Sequence, residues 1–182
     1  MKCIVVNANN SIYGRIITKI IELVKKGFFV KVLNCQNLIL SGRKEHSIKK
    51  FISKFNKKTH TNPNKGPFKF SSPANIFLKS IRGMISYKKK AFMNNFKKIQ
   101  CFNGEPSRFR FQKNFVFRNV HKSIRLKNSS KWIYLKEISK KLGWDSEISF
   151  ITDYKKKNIL SLNLKNNFKV LSAFKNDLNK LQ

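Results

Sequence analysis

The first forty residues place the tightest limit on what this chain can fold into. The run CIVV (3–6) is short, apolar and rich in β-branched residues, as a buried parallel strand requires. Asn10 or Ser11 then offers a helix N-cap, and Tyr13, Ile16, Ile17, Ile20, Ile21 and Val24 follow at helical spacing. Lys25 and Lys26 suit the negative end of the helix dipole, and Gly27 suits the left-handed position just past it. FFVKVLN (28–34) reads as a second strand. Such a crossover is almost always right-handed, so the two strands are expected parallel with the helix on one face. The fold class is therefore α/β.

Further along, NLIL (37–40) adds an extended piece that ends at a Ser41-Gly42 turn. A basic helix is expected next, with Ile48, Phe51, Ile52 and Phe55 on one side and Lys49, Lys50, Lys54 and Lys57 around the rest. KKTHTNPNKGPFKFSSP (57–73), with its prolines, a glycine and several polar residues, allows neither a helix nor a central strand. Structureless stretches of that length are usually functional or disordered, and Phe68 and Phe70 argue for order. Ser72 can cap a third helix with Pro73 at its first position and Ile76, Phe77, Ile81 and Met84 as its apolar stripe. AFMNNFKKIQCFNG (91–104) reads as a short helix running into a strand, closed by Asn103-Gly104. SSKWIYLKEISKKLGW (129–144) reads as an amphipathic helix with Leu135, Ile138 and Leu142 in phase and Gly143 as its stop. EISFITDY (147–154) is a last strand or edge extension, and a basic tail follows.

Charge is the second constraint. The 182 residues carry 40 Lys and Arg against 8 Asp and Glu, a formal charge of +32. No carboxylate occurs between Glu45 and Glu105, nor between Glu105 and Glu137. A solvated surface normally mixes the two signs, so the missing negative charge must come from a polyanionic partner. Nucleic acid fits better than membrane, because no apolar run approaches the roughly 20 residues of a spanning helix. The opening MKCIVVNANN is too short for a signal segment. Cys3, Cys35 and Cys101 are odd in number and widely spaced within apolar runs, so buried reduced thiols of an intracellular protein are expected, without a zinc site.

Catalytic arrangements are missing. The first turn, NANNSIYGR, has neither G-x-G-x-x-G nor a Lys-Ser/Thr phosphate loop. His46, His60 and His121 share no metal-ligand spacing, and the few carboxylates form no acid–base pair. His60 could touch phosphate or be simply solvated. No catalytic residue, metal, cofactor or small-molecule substrate is expected. The residues suit RNA instead, which is recognised through phosphates, shape, 2′-hydroxyls and stacking on unpaired bases. Phe68, Phe70, Phe109, Phe111, Phe115 and Phe117 interleave with cations and could stack on bases or pack extensions onto the core.

Several strings together resemble one family. TNPNKGPFKF, SP-x-x-IF and IRGM, with VVNANNSIYGR, LNCQNLILSG, FNGEP and RLKNSSKWIYLKEISKKLGW, resemble the eukaryotic branch of large-subunit ribosomal protein thirteen from about Val5 to Tyr154. The resemblance implies a three-layer α/β/α core around a four-stranded, mainly parallel sheet in residues 1–153, an RNA-binding loop at 58–73 and a basic tail at 154–182. It implies a structural, non-enzymatic component of the large subunit that binds ribosomal RNA and supports assembly beside neighbouring ribosomal proteins. The expected setting is the cytoplasmic ribosome, with an organellar one left open. A free nucleic-acid-binding regulator is the alternative. Carried over by position, the RNA-facing set comprises Arg15, Arg43, Lys50, Lys57, Thr61, Asn62, Pro63, Lys65, Gly66, Pro67, Arg82, Gly83, Lys88 and Lys90. Lys69 joins them from the same loop. Gly83 suits close approach of an outside backbone, a helix end, or a tight helix–sheet contact. The chain departs from the family pattern at Asn7 and Asn9, where an acid and a base are usual, and at Asn75, Ser86 and Ala91-Phe92.

Overall fold

The computed structural model describes residues 2–85, 94–109 and 111–145. Lys88, Lys90, Ser86, Ala91-Phe92, the 147–154 segment and the tail lie outside these residues. The elements run β1 (Cys3–Asn7), α1 (Tyr13–Lys25), β2 (Phe29–Leu33), β3 (Ile39–Ser41), α2 (Lys44–Asn56), α3 (Pro73–Met84), β4 (Ile99–Cys101), β5 (Trp132–Tyr134) and α4 (Leu135–Lys141). β1, β2 and β4 form a parallel sheet in that order, with Val6 opposite Val32 and Val32 opposite Cys101. Phe115 adds a single parallel bridge to Val6 at the free edge of β1. Its N–H donates to the Val5 carbonyl at 2.7 Å, and its carbonyl accepts the Asn7 N–H at 2.9 Å.

Alternation along the strands divides the core. Val6, Val30, Val32 and Ile99 join the main cluster with α1 and α3. Val5 and Leu33 face the other way into a smaller cluster with Phe109, flanked by Phe102. The α1 stripe places Ile16, Ile17, Ile20 and Val24 in the core, each worth about 1.5–3 kcal/mol relative to exposure. Phe77 of α3 is fully buried, with its ring edge-on to Tyr13 at 5.5 Å. Truncating it to alanine would cost about 3–5 kcal/mol, enough to threaten a fold of ordinary stability.

Helix ends follow the expected punctuation more closely than the expected chemistry. Gly27, just after α1, has φ +91, as a left-handed stop requires. At the other end Ile12 is the N-cap and no side chain caps it. Ser11 is instead buried in an extended bridge to His121, and its hydroxyl donates to the Asn9 carbonyl at 3.4 Å. Ser72 does occupy the N-cap of α3 with Pro73 behind it, but its hydroxyl does not cap. Asn103 supplies the acceptor from the loop after β4: its Oδ1 receives the Ala74 N–H at 2.8 Å and the Ser72 hydroxyl at 3.1 Å.

Four further expectations change. Met84 leaves the α3 stripe and is half exposed, because the next residue, Ile85, takes the place in the core where the helix ends. WIY is not the head of a helix but β5, antiparallel to β3 with Ile133 opposite Leu40. That pairing buries Ile133 fully before α4 begins. The apolar side of α2 is only half-buried, with Ser47 its one buried residue. Cys35 is buried and Cys101 half-buried, but Cys3 is exposed, since it starts a strand whose burial deepens only at Val5.

Candidate nucleic-acid interface

The loop after α2 has a defined internal geometry. Lys57 ends the helix in extended conformation, and Pro63–Lys65 forms a 3-10 turn. Asn62 (φ −144°) and Gly66 (ψ −171°) are extended, as the residue before a proline prefers. The Asn62 carboxamide oxygen accepts the Asn64 N–H at 3.0 Å, closing a short side-chain turn. Gly66 lies against Thr59: a Cβ there would sit 2.7 Å from the Thr59 hydroxyl and 3.2 Å from the Pro63 carbonyl oxygen. A side chain there would have to displace the Thr59 hydroxyl and push the Pro63 carbonyl by a few tenths of an ångström, so glycine is the residue that fits without adjustment.

Two hollows flank this loop. The first, about 270 Å³, is lined by Lys57, Lys58, Pro63, Gly66, Pro67 and Lys69 among others. The second, about 340 Å³, is a groove where α2, the loop and α3 meet, with Phe55, Phe68 and Phe70 in its wall and Gly83 beside them. Cations are fixed around it: the Lys69 ammonium lies 5.4 Å from the Phe55 ring centre and that of Lys79 5.6 Å from Phe70. Lys79 also donates to the Phe68 carbonyl, tying the loop to α3. The groove thereby adds Lys54, Phe55 and Lys79 to the residues expected from sequence. Their signal was present as a basic helix with phenylalanines in phase, but burial of those rings could not be judged from spacing.

The other expected residues are spread more widely. Arg43 lies in a separate basin of about 770 Å³ with Lys44, Glu45, Lys131 and Trp132. There the Lys122 ammonium stands 3.7 Å from the Trp132 ring centre. Arg15 on α1 and Lys50 on α2 are exposed and line none of these hollows. Thr61, Asn62 and Lys65 are exposed on the loop, and Arg82 and Gly83 on the last turn of α3. A Cβ on Gly83 would meet nothing within 4 Å, which removes tight packing on the sheet as its reason. The interleaved phenylalanines also divide: Phe109 is buried and Phe117 packs against the main core, while Phe68, Phe70, Phe111 and Phe115 stay exposed.

The polar groups that are buried serve the scaffold. Burial raises the Tyr13 phenol to about 12, against a smaller opposing effect of its 2.6 Å hydrogen bond with Ser80. The Cys35 thiol is pushed well up by burial and by neighbouring Cys101, so it is no ready nucleophile. Asn7 acts as an acceptor: its Oδ1 takes the Asn9 N–H at 3.0 Å and the Asn34 amide at 3.2 Å. Among the described residues no three of His, Cys, Asp and Glu come together as a metal site, and no helix is long and apolar enough to cross a membrane. Even one-to-one pairing of all 8 carboxylates would leave 32 of the 40 cations without an internal counterion.

The family model for ribosomal protein L13 matches residues 1–108, more than half of the chain. The chain belongs to the ribosomal protein L13 family. That match takes in the parallel sheet, α1 to α3 and the whole proline-rich loop. The chain is also 28% identical over 167 residues to the large ribosomal subunit protein uL13 of Drosophila melanogaster, an alignment covering 91% of this chain and 82% of the fly protein. The family is one of ribosomal proteins, structural rather than catalytic in role.

Proposed function

We propose that this chain is a structural component of the large ribosomal subunit, bound to large-subunit ribosomal RNA and neighbouring ribosomal proteins and supporting assembly of the particle in the cytoplasm. The observation that carries this reading is the convergence of Lys57, Pro63, Gly66, Pro67 and Lys69 on one hollow, within the span matched by the family model. Cations there neutralise phosphates, and a proline-fixed loop presents a preformed shape to RNA. Arg15, Arg43, Lys50, Thr61, Asn62, Lys65, Arg82 and Gly83 complete the RNA-facing set, with Lys88 and Lys90 continuing it in sequence. The same reading takes the family's four-stranded, three-layer core, with the segment around Phe115 supplying the fourth strand beside β1.

The test is sedimentation of the tagged chain through a high-salt gradient. Persistence in the large-subunit peak is expected of an integral component. Release from the particle by salt would favour a free nucleic-acid-binding regulator instead.

A further inference from the structure

The groove between α2, the loop and α3 has features that phosphate binding alone does not explain. Phe68 is 76% exposed and is left open by the chain's own core, whereas Phe70 is 41% exposed with the Lys79 ammonium over its ring. Lysines surround them, and Lys69 and Lys79 are already held over aromatic rings, which lowers the entropy lost on engaging an anion. Gly83 lines the same groove, and no atom of the described residues lies within 4 Å of where a Cβ on it would be. A volume of about 340 Å³ suits one flat ring with its sugar, and a duplex would not enter it.

We propose that this groove receives a single unpaired nucleotide of ribosomal RNA. Its base stacks on Phe68, with Phe70 and the Lys79 ammonium over it forming the adjoining wall, while Lys54, Lys69 and Lys79 face the flanking phosphates. The proposal rests on the RNA-binding reading above and names the feature of RNA that this part of the surface selects. Charge decides among occupants. The chain's own residues 146–182 carry seven lysines against three carboxylates, and the cationic rim repels such a segment. The rim lies in the stretch between Glu45 and Glu105 that contains no carboxylate, so it favours an anion. An aromatic wall with a cationic rim is the combination that binds a base together with its backbone.

The experiment uses the full chain and three RNA hairpins with the same stem: fully paired, carrying a single bulged 2-aminopurine, and carrying an abasic bulge. The bulged base is expected to be quenched on binding and to bind about 5- to 150-fold tighter than the paired or abasic hairpin. Phe68→Ala should bring it down to their level, and Gly83→Trp should do the same by projecting a large ring into the groove, while melting no lower than the parent because glycine is the poorer helix former. Equal affinity for all three hairpins, or a preference that survives both substitutions, overturns the proposal and leaves general RNA binding intact. Failure of even the paired hairpin to bind in a salt-dependent way would overturn the RNA reading itself. A photocrosslinking phenylalanine at position 68 in assembled particles should join to RNA, and an adduct with protein would overturn the assignment.

Discussion

Asn103 caps α3 although it lies 29 residues further along the chain than Ala74, the residue whose N–H it receives. Asn103→Ala leaves that donor and the Ser72 hydroxyl without their acceptor, and about 1 kcal/mol of stability should be lost. Urea denaturation checks this as a lower midpoint at unchanged slope. Tyr13 gives a pH signature. Its phenol ionises near 10 in the unfolded chain but only at about 12 when buried, so its contribution is complete below pH 10 and drains away between pH 10 and about 12. The size of that loss is about 3 kcal/mol. Tyr13→Phe should be less stable by a constant offset at neutral pH, from the lost Ser80 bond, and should lack this part of the alkaline decline. Denaturation curves at several pH values across the window compare the two proteins. Residue types and local spacing made Gly27 and Pro73 legible in the sequence. The true partner of Ser72 was not, because a cap supplied through tertiary contact leaves no local pattern.

The loop between α2 and α3 is the element in which order and exposure coincide. Its turn is fixed by Pro63, by the Asn62 side chain and by the contact of Gly66 with Thr59, none of which draws on the main core. Deleting residues 62–66 should therefore weaken incorporation into the large subunit far more than it lowers the melting temperature of the isolated protein. Subunit incorporation and thermal melting of the same deletion protein provide the comparison, and normal incorporation would reduce the loop to a surface excursion. The prolines made the loop readable in advance, and helical periodicity did the same for α1 and most of α3. Periodicity failed at WIY, because the helical spacing of Leu135, Ile138 and Leu142 was extended backwards over it and only pairing with β3 shows a strand there. It also could not sort the phenylalanines, since burial of Phe109 depends on the sheet face it meets and not on its own segment.

Across the whole molecule, a charge of +32 makes the isolated chain respond to ionic conditions more than most proteins of its size. If about ten phosphates are contacted, the logarithm of RNA affinity should fall with the logarithm of salt at a slope of roughly −7 to −9. A titration from low to moderate salt measures it, and a slope near −1 would mean that the basic surface is not an RNA face. The composition announced that surface, but the meeting of some of its lysines with phenylalanines in one groove depends on bringing residues 51–55, 67–70 and 76–83 together in space. The edge of the sheet bears on how copies of the chain meet one another. A bare outer strand invites another copy to extend the ladder. Phe115 occupies two of the hydrogen-bonding groups on that margin, the Val5 carbonyl and the Asn7 N–H, so the open side of β1 is blunted from within. Self-repulsion keeps copies apart at long range, and this short intramolecular bridge acts where charge cannot, at the moment two chains touch in the salt of a cell.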